Sequence, residues 1–323
     1  MNRKLFISLA IPAFFLGGSQ FAFALTGFVL GDAANYAVIY QAGGNNQLNI
    51  NNGPGAEDLA VSGNIGIANS PNPPNNGRLQ LSGPLTLDSD IHFAGVVNDN
   101  GPYGGNIQVN GTISGGHANV RTDMDNLGAL STALGAELGT SVALNTGATI
   151  NASAGMLDAM GNRVFTVSGI NAPNGILTIN GNGANKVVFN ISLAADASFH
   201  FNSITLGGGL TSDDVLFNFF GGNDVTHTGG PGLDINSNGD VGDPALYGTF
   251  LDPNGAISIV HSVLFGRIFG GDSVNEAIVS GAQINAPGGQ VPDGGSAVAL
   301  LGIALAAIEG ARRLIHPKRG FRS

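Results

Sequence analysis

The chain has 323 residues, 52 of them glycine, with no cysteine and no tryptophan, so disulfide staples and thiolate chemistry are both excluded. Between Leu25 and Gln290 twenty acidic residues face five basic ones (Arg78, Arg121, Arg163, Lys186 and Arg267), and this net charge of −15 excludes nucleic acid or an anionic membrane surface as a partner. Val, Ile, Leu and Phe recur too regularly for disorder, while aromatics are too few for an ordinary globular core; such a chain must bury small apolar side chains in a repetitive way.

The first element is a leader. Met1-Asn2-Arg3-Lys4 is followed by the apolar stretch LFISLAIPAFFLGG and by Ala22-Phe23-Ala24, a small-x-small cleavage site. This pattern predicts a secretory signal peptide over residues 1–24, cut after Ala24. Residues 25–290 then form the folded domain and 291–323 a separate C-terminal segment.

Within the domain, short β-type segments follow one another between Gly/Asn turns, among them LAVSGNIGI, LQLSGPLTL, IQVNGTISG, ILTING, KVVFNIS and VLFNFFGG. An apolar-Ser/Asn-Gly corner recurs at Val61-Ser62-Gly63, Leu81-Ser82-Gly83, Val109-Asn110-Gly111, Val167-Ser168-Gly169 and Val279-Ser280-Gly281. Corners repeated without a fixed period suit an irregular solenoid whose coils cover one another, in preference to a β-sandwich with strands of similar length. One stretch differs: Leu127, Leu130, Leu134 and Leu138 form a helical stripe. It predicts a helix near 122–138 packed along the solenoid's side, with Thr122 or Asp123 as N-cap and Gly139 as its stop.

The blocks LGDAANYAVIY (30–40), VSGNIGI (61–67), the Leu-rich helix, GILTINGNGANKVVFNIS (175–192) and GTFLDPNGAISIVHSVLFGRIFGG (248–271) resemble those of ice-binding-like and choice-of-anchor A secreted domains. The resemblance implies an all-β, right-handed parallel β-solenoid accompanied by one long helix. Ice binding on such a fold calls for ranked threonines, whereas Thr86, Thr112, Thr149, Thr166, Thr178 and Thr205 occur singly, as β-propensity alone explains.

Asp234, Asn236 and Asn238 alternate before Gly239, with Asp240 and Asp243 beyond. Alternating oxygens around a turning glycine match the first half of a calcium loop; Ala245 stands where the bidentate carboxylate belongs, and an Asn/Asp turn bonding its own backbone is the competing reading. Calcium is thus the one cofactor the sequence suggests. No metalloprotease, nucleophile-elbow or phosphate-loop motif occurs; His92, His117, His200, His227 and His261 are scattered, and Asp213-Asp214 in a strand would point to opposite faces. No catalytic residues are assigned, and the chain is read as a non-enzyme.

The C-terminal segment opens on Val291-Pro292-Asp293-Gly294-Gly295, continues in an apolar stretch over 296–311, and ends with Arg312, Arg313, Lys318 and Arg319. A readable turn, a short membrane segment and stop-transfer charges resemble the PEP-CTERM and VPD-type signals handled by exosortases. The tail would insert transiently in the inner membrane, an exosortase-type protease would process it, and the mature protein would lie at the cell surface or in the extracellular matrix. The expected function is that of a structural or adhesive matrix and biofilm protein; the alternative is a module that binds ice or an exopolysaccharide.

Overall fold

In the computed structural model, the described residues are 27–42, 46–52, 59–69, 77–103, 106–183, 185–192, 197–220, 233–237, 245–253, 255–271 and 276–287. Short strands, nearly all in parallel register, wind through three sheets. Each central coil crosses a first face, then a third, then a second: Tyr36–Tyr40, Gln47–Asn51 and Leu59–Ser62 make one such turn, and Asn64–Ile67, Arg78–Ser82 and Leu85–Asp88 make the next. The repeated corner sequence lies where the chain changes face. At Gly63 and Gly83 the backbone takes φ of +114° and +78°, and a Cβ on Gly83 would lie 2.0 Å from the Asn52 carbonyl oxygen in the adjoining coil. Val167-Ser168-Gly169 departs from this: it stays within strand Arg163–Asn171, where a register shift against Thr140–Asn145 marks a bulge.

Side chains of one residue type stack across coils because period-2 alternation sends every second position inward. Phe165, Phe189, Phe217 and Phe250 are register partners along the inside of the first face. Their rings stack at centroid separations of 5.2, 5.2 and 4.8 Å. Ile268, Val38, Ile65 and Ile91 continue that rank through the remaining coils. Along this rank, therefore, aromatic residues occupy one half of the stack and aliphatic residues the other.

The coils are not stacked in chain order. The first-face sequence runs from Thr140–Asn145 through Val263–Gly270, then to Tyr36–Tyr40 and outward to Ile113–Ser114. The chain thus begins in the middle of the stack, builds to one end, returns along the helix to the other end, and winds back to the middle. Last coil meets first through Ile39 opposite Phe269, Ile50 opposite Ile278, and Val61 opposite Ile284. Arg267 clasps this joint: its buried guanidinium donates to the Ala34 carbonyl, 233 residues away in sequence, to the Pro287 carbonyl and to Asp213.

The helix, α1 (Ala118–Gly135), carries the chain back along the outside of the first face. It begins earlier than its leucine stripe suggests, because Val120 and Met124 extend the buried side by a turn. Thr122 and Asp123 are therefore not caps: Thr122 donates to the Ala118 carbonyl four residues back, and Asp123 is buried on the inner side. The helix stops not at Gly139 but at Gly135, and a Cβ on Gly135 would meet the Phe220 ring at 2.4 Å. Leu138 lies beyond that end, 76% exposed.

Under the helix the outer first-face rank changes character along its length. At one end Asn190 and Asn218, register partners and both buried, hold the helix end: Asn218 Nδ2 donates to the Ser131 carbonyl at 3.0 Å, Ser131 Oγ donates to Asn218 Oδ1 at 2.6 Å, and Asn190 Nδ2 donates to the Leu134 carbonyl. In the middle Leu251, Phe269 and Ile39 join Leu127 and Leu134 in one apolar cluster. At the far end Gly66 lets the helix close, since a Cβ there would stand 2.8 Å from Val120.

Candidate functional site

The second face is built from Thr149–Asn151, Gly175–Asn180 and Phe201–Gly207, the opening residues of Leu246–Asp252 and Val263–Gly270, and then Gln283–Asn285, Leu59–Ser62, Leu85–Asp88 and Ile107–Val109. Alternation turns one residue of each strand outward at the same height. At one end these are Thr149, Thr178 and Thr205, in direct register, with the Thr178 and Thr205 hydroxyls sharing a hydrogen bond at 3.1 Å. Asn151 and Asn180 form a parallel rank two residues on.

The bond from Ile204 N–H to the Ala245 carbonyl aligns the next coil, placing Tyr247 beside Thr205. Tyr247 is the register partner of Phe265, and their rings stack outside the sheet at 5.4 Å and 18°. Phe265 is 41% exposed. Asn285, Ser62 and Asp88 continue the same rank, and Asn110 closes it by donating from Nδ2 to Asp88 Oδ1 at 2.6 Å. One face therefore presents a hydroxyl segment, an aromatic step and an amide-carboxylate segment in line, at the ~4.8 Å strand spacing.

Reading along the chain missed this arrangement. The threonines are single within each strand, and they become a rank only across coils of unequal length. Of the remaining threonines, Thr86 faces out of the same sheet opposite Gln108, Thr112 donates to Asp90, and Thr166 is the partner of Asn190 on the first face.

The other candidates separate. Asp234 and Asn236 lie in the regular strand Leu233–Asn236, not in a loop, and Asp234 Oδ2 is 2.8 Å from His200 Nε2. Asn238, Asp240 and Asp243 lie outside the described residues. Among the described residues no group of three His, Cys, Asp or Glu side chains converges on one point. Asp213 and Asp214 sit in the turn Ser212–Asp214, where Asp213 pairs with Arg267 and Asp214 accepts from the Thr211 N–H and hydroxyl at 2.8 and 2.7 Å.

Two of the histidines do meet. His92 and His117 stack at 4.2 Å beneath the start of α1, with Tyr36 Oη 3.1 Å from His92 Nδ1 and Ser114 Oγ 2.8 Å from His117 Nε2. Burial, and then the charge of His117, hold the His92 pKa below the usual histidine value. His227, the cleavage residues Ala22 and Ala24, the pentad Val291, Pro292, Asp293, Gly294 and Gly295, the segment 296–311, and the basic residues Arg312, Arg313, Lys318 and Arg319 lie outside the described residues.

Stacked parallel coils, one helix along the first face and a ranked second face define a parallel β-solenoid. The family model for the ice-binding-like adhesive domain matches residues 23–286, and the chain belongs to that family. A second model, the VPDSG-CTERM motif, matches residues 290–315. Among solved structures, the chain is similar to the ice-binding protein LeIBP from an Arctic yeast, at 18% identity and TM-score 0.49, covering 84% of this chain and 98% of that one. An ice-binding protein from an Antarctic biological consortium matches at 13% identity and TM-score 0.48, covering 81% and 92%. The ice-binding protein of the Antarctic ascomycete Antarctomyces psychrotrophicus matches at 16% identity and TM-score 0.42, covering 82% and 100%. No curated protein matches the sequence.

Proposed function

We propose that the chain is an exported, surface-tethered adhesive domain that binds polysaccharide through its second face. The observation that carries this reading is the continuous outward rank, in particular the Tyr247–Phe265 stack set between hydroxyl and amide neighbours. Stacked rings offer an apolar platform to the C–H face of a sugar, and flanking Thr, Asn and Ser groups offer donors and acceptors to its hydroxyls. Membership of an adhesive-domain family supports the role. Retention of the protein on insoluble polysaccharides is the test. The Tyr247→Ala, Phe265→Ala double variant is expected to bind at least about tenfold more weakly, a loss of ~1.4 kcal/mol, with its melting temperature little changed. Undiminished retention would remove the face from consideration.

Ice is the second reading, favoured by the Thr149–Thr178–Thr205 rank. It requires inhibition of ice recrystallisation by the purified protein, lost on Thr178→Tyr, without dependence on Phe265.

Tethering is the other half of the reading. The match to a VPDSG-CTERM motif supports removal of the tail by an exosortase-type protease after signal-peptide cleavage at Ala24, leaving the domain at the cell surface or in the matrix of a biofilm. Mass spectrometry of protein from its native host is expected to find a mature chain lacking Arg312 to Ser323. A mature C-terminus at Ser323 would refute processing.

A further inference from the structure

Where the second face turns back into the first, the two coils at the Thr149 end leave a cavity of about 150 Å³ between their corners. Asn151 and Ser153 line it from the end coil, Asn180, Asn182 and Asn185 from the next, and Arg163 from the start of its first-face strand. Asn151 and Asn180 are register partners, so the cavity adjoins the Thr149–Thr178–Thr205 hydroxyls two residues back. The third coil leaves room for them: Gly207 is the partner of Asn180, and a Cβ on it would stand 2.2 Å from Asn180 Oδ1.

No acidic side chain lines this cavity, in a domain where twenty acidic residues face five basic ones. Arg121 and Arg267 pair with Asp125 and Asp213, and Lys186 donates to the Phe28 carbonyl. Arg163 has no carboxylate partner among the described residues: its Nη1 donates to the Gly155 carbonyl at 3.3 Å, and its Nε has no partner at all. A guanidinium stays charged and bonds most strongly to an anion, so the site lacks one negative charge. An inorganic anion would call for donors alone, whereas the amides also offer acceptors. A donor-only cation beside amides matches a sugar acid, whose carboxylate accepts and whose ring hydroxyls both donate and accept. The volume suits one such unit, being smaller than pockets of roughly 300–1,000 Å³ that enclose drug-sized ligands. The domain's net charge of −15 repels a dense polyanion. Screening beyond about 8 Å at physiological ionic strength lets a lone carboxylate on a neutral chain meet Arg163.

We infer that this cavity binds a uronic acid unit carried sparsely on an otherwise neutral polysaccharide, with Arg163 as the counter-charge of its carboxylate and Asn151 and Asn180 beside its hydroxyls. The assignment rests on the reading of the second face as a polysaccharide-binding surface and names the sugar that the end of that face selects. Retention on insoluble glucuronoxylan, a neutral backbone with scattered glucuronate, is compared with retention on the same polymer after reduction of its carboxyl groups to alcohols. The protein is expected to prefer the carboxylated form about fivefold. Arg163→Gln should abolish the preference, and so should Asn151→Asp, which sets a like charge in the cavity from an exposed position. Tyr247→Ala, Phe265→Ala should weaken retention on both polymers and leave their ratio unchanged. Equal retention of the two polymers by the wild type, or a preference that survives Arg163→Gln or Asn151→Asp, would overturn the assignment while leaving the aromatic step in place. If neither polymer is retained, the second-face reading fails and sodium glucuronate decides for the cavity. It should shift the Asn180 side-chain amide resonances of the wild type but not of Arg163→Gln, and glucose should shift neither. No shift with glucuronate, or an equal shift with glucose, would overturn the assignment.

Discussion

Replacing Leu127 with aspartate is expected to cost about 3–5 kcal/mol of stability, the range for leaving a carboxylate buried without a partner. Leu127 is 1% exposed in the cluster that α1 shares with Leu251 and Phe269. The same side of the helix already carries Asp123, whose carboxyl is raised above the usual range by burial and then by Asp32, and whose Oδ2 has no partner. A second carboxylate four residues on would face it directly. Leu130→Asp, at the partly buried margin of that cluster, should cost clearly less. Denaturant unfolding of both variants checks the pair; equal losses would mean that helix docking does not depend on the central leucine.

Phe217→Ala should destabilise by a similar ~3–5 kcal/mol for a different reason. Phe217 is fully buried, stacked between Phe189 and Phe250 and edge-on to Phe199 at 5.1 Å. Removing the ring opens a cavity that the neighbouring coils cannot collapse into, because their own rings are fixed by register. Phe217→Leu fills most of that space and should cost under about 2 kcal/mol. A loss below about 1 kcal/mol for the alanine variant would show that the ladder relaxes freely.

Local chemistry was legible in the sequence, and relations between coils were not. Corners announced themselves because only glycine tolerates the positive φ at Gly63 and Gly83, and the helix because Leu127 and Leu134 share a face. Its ends were misplaced because Thr122 and Asp123 have the composition of caps, whereas Val120 and Met124 set the packing. The rank of Thr149, Thr178 and Thr205 depends on register between coils of unequal length, which no fixed repeat encodes. Glu276 opens the stretch EAIVSG like any strand with a polar start; its burial arises from the coils on either side, one of them at the opposite end of the chain.

The out-of-order stacking has a consequence for how the chain comes to be folded. Strands Tyr36–Tyr40, Gln47–Asn51 and Leu59–Ser62 gain their second neighbours only from the last coil, 229 residues away in the pair Gly281 and Asn52. During synthesis the N-terminal coils can form early, but they present an open strand edge until the C-terminal coils arrive, and such an edge invites pairing with other chains. Closing the joint fixes contacts of very long sequence separation, which slows the final step. A chain with this topology gains from remaining unfolded until it is complete, as passage through a secretion channel would keep it, and it should show one slow late phase in refolding that a chain stacked in sequential order would lack.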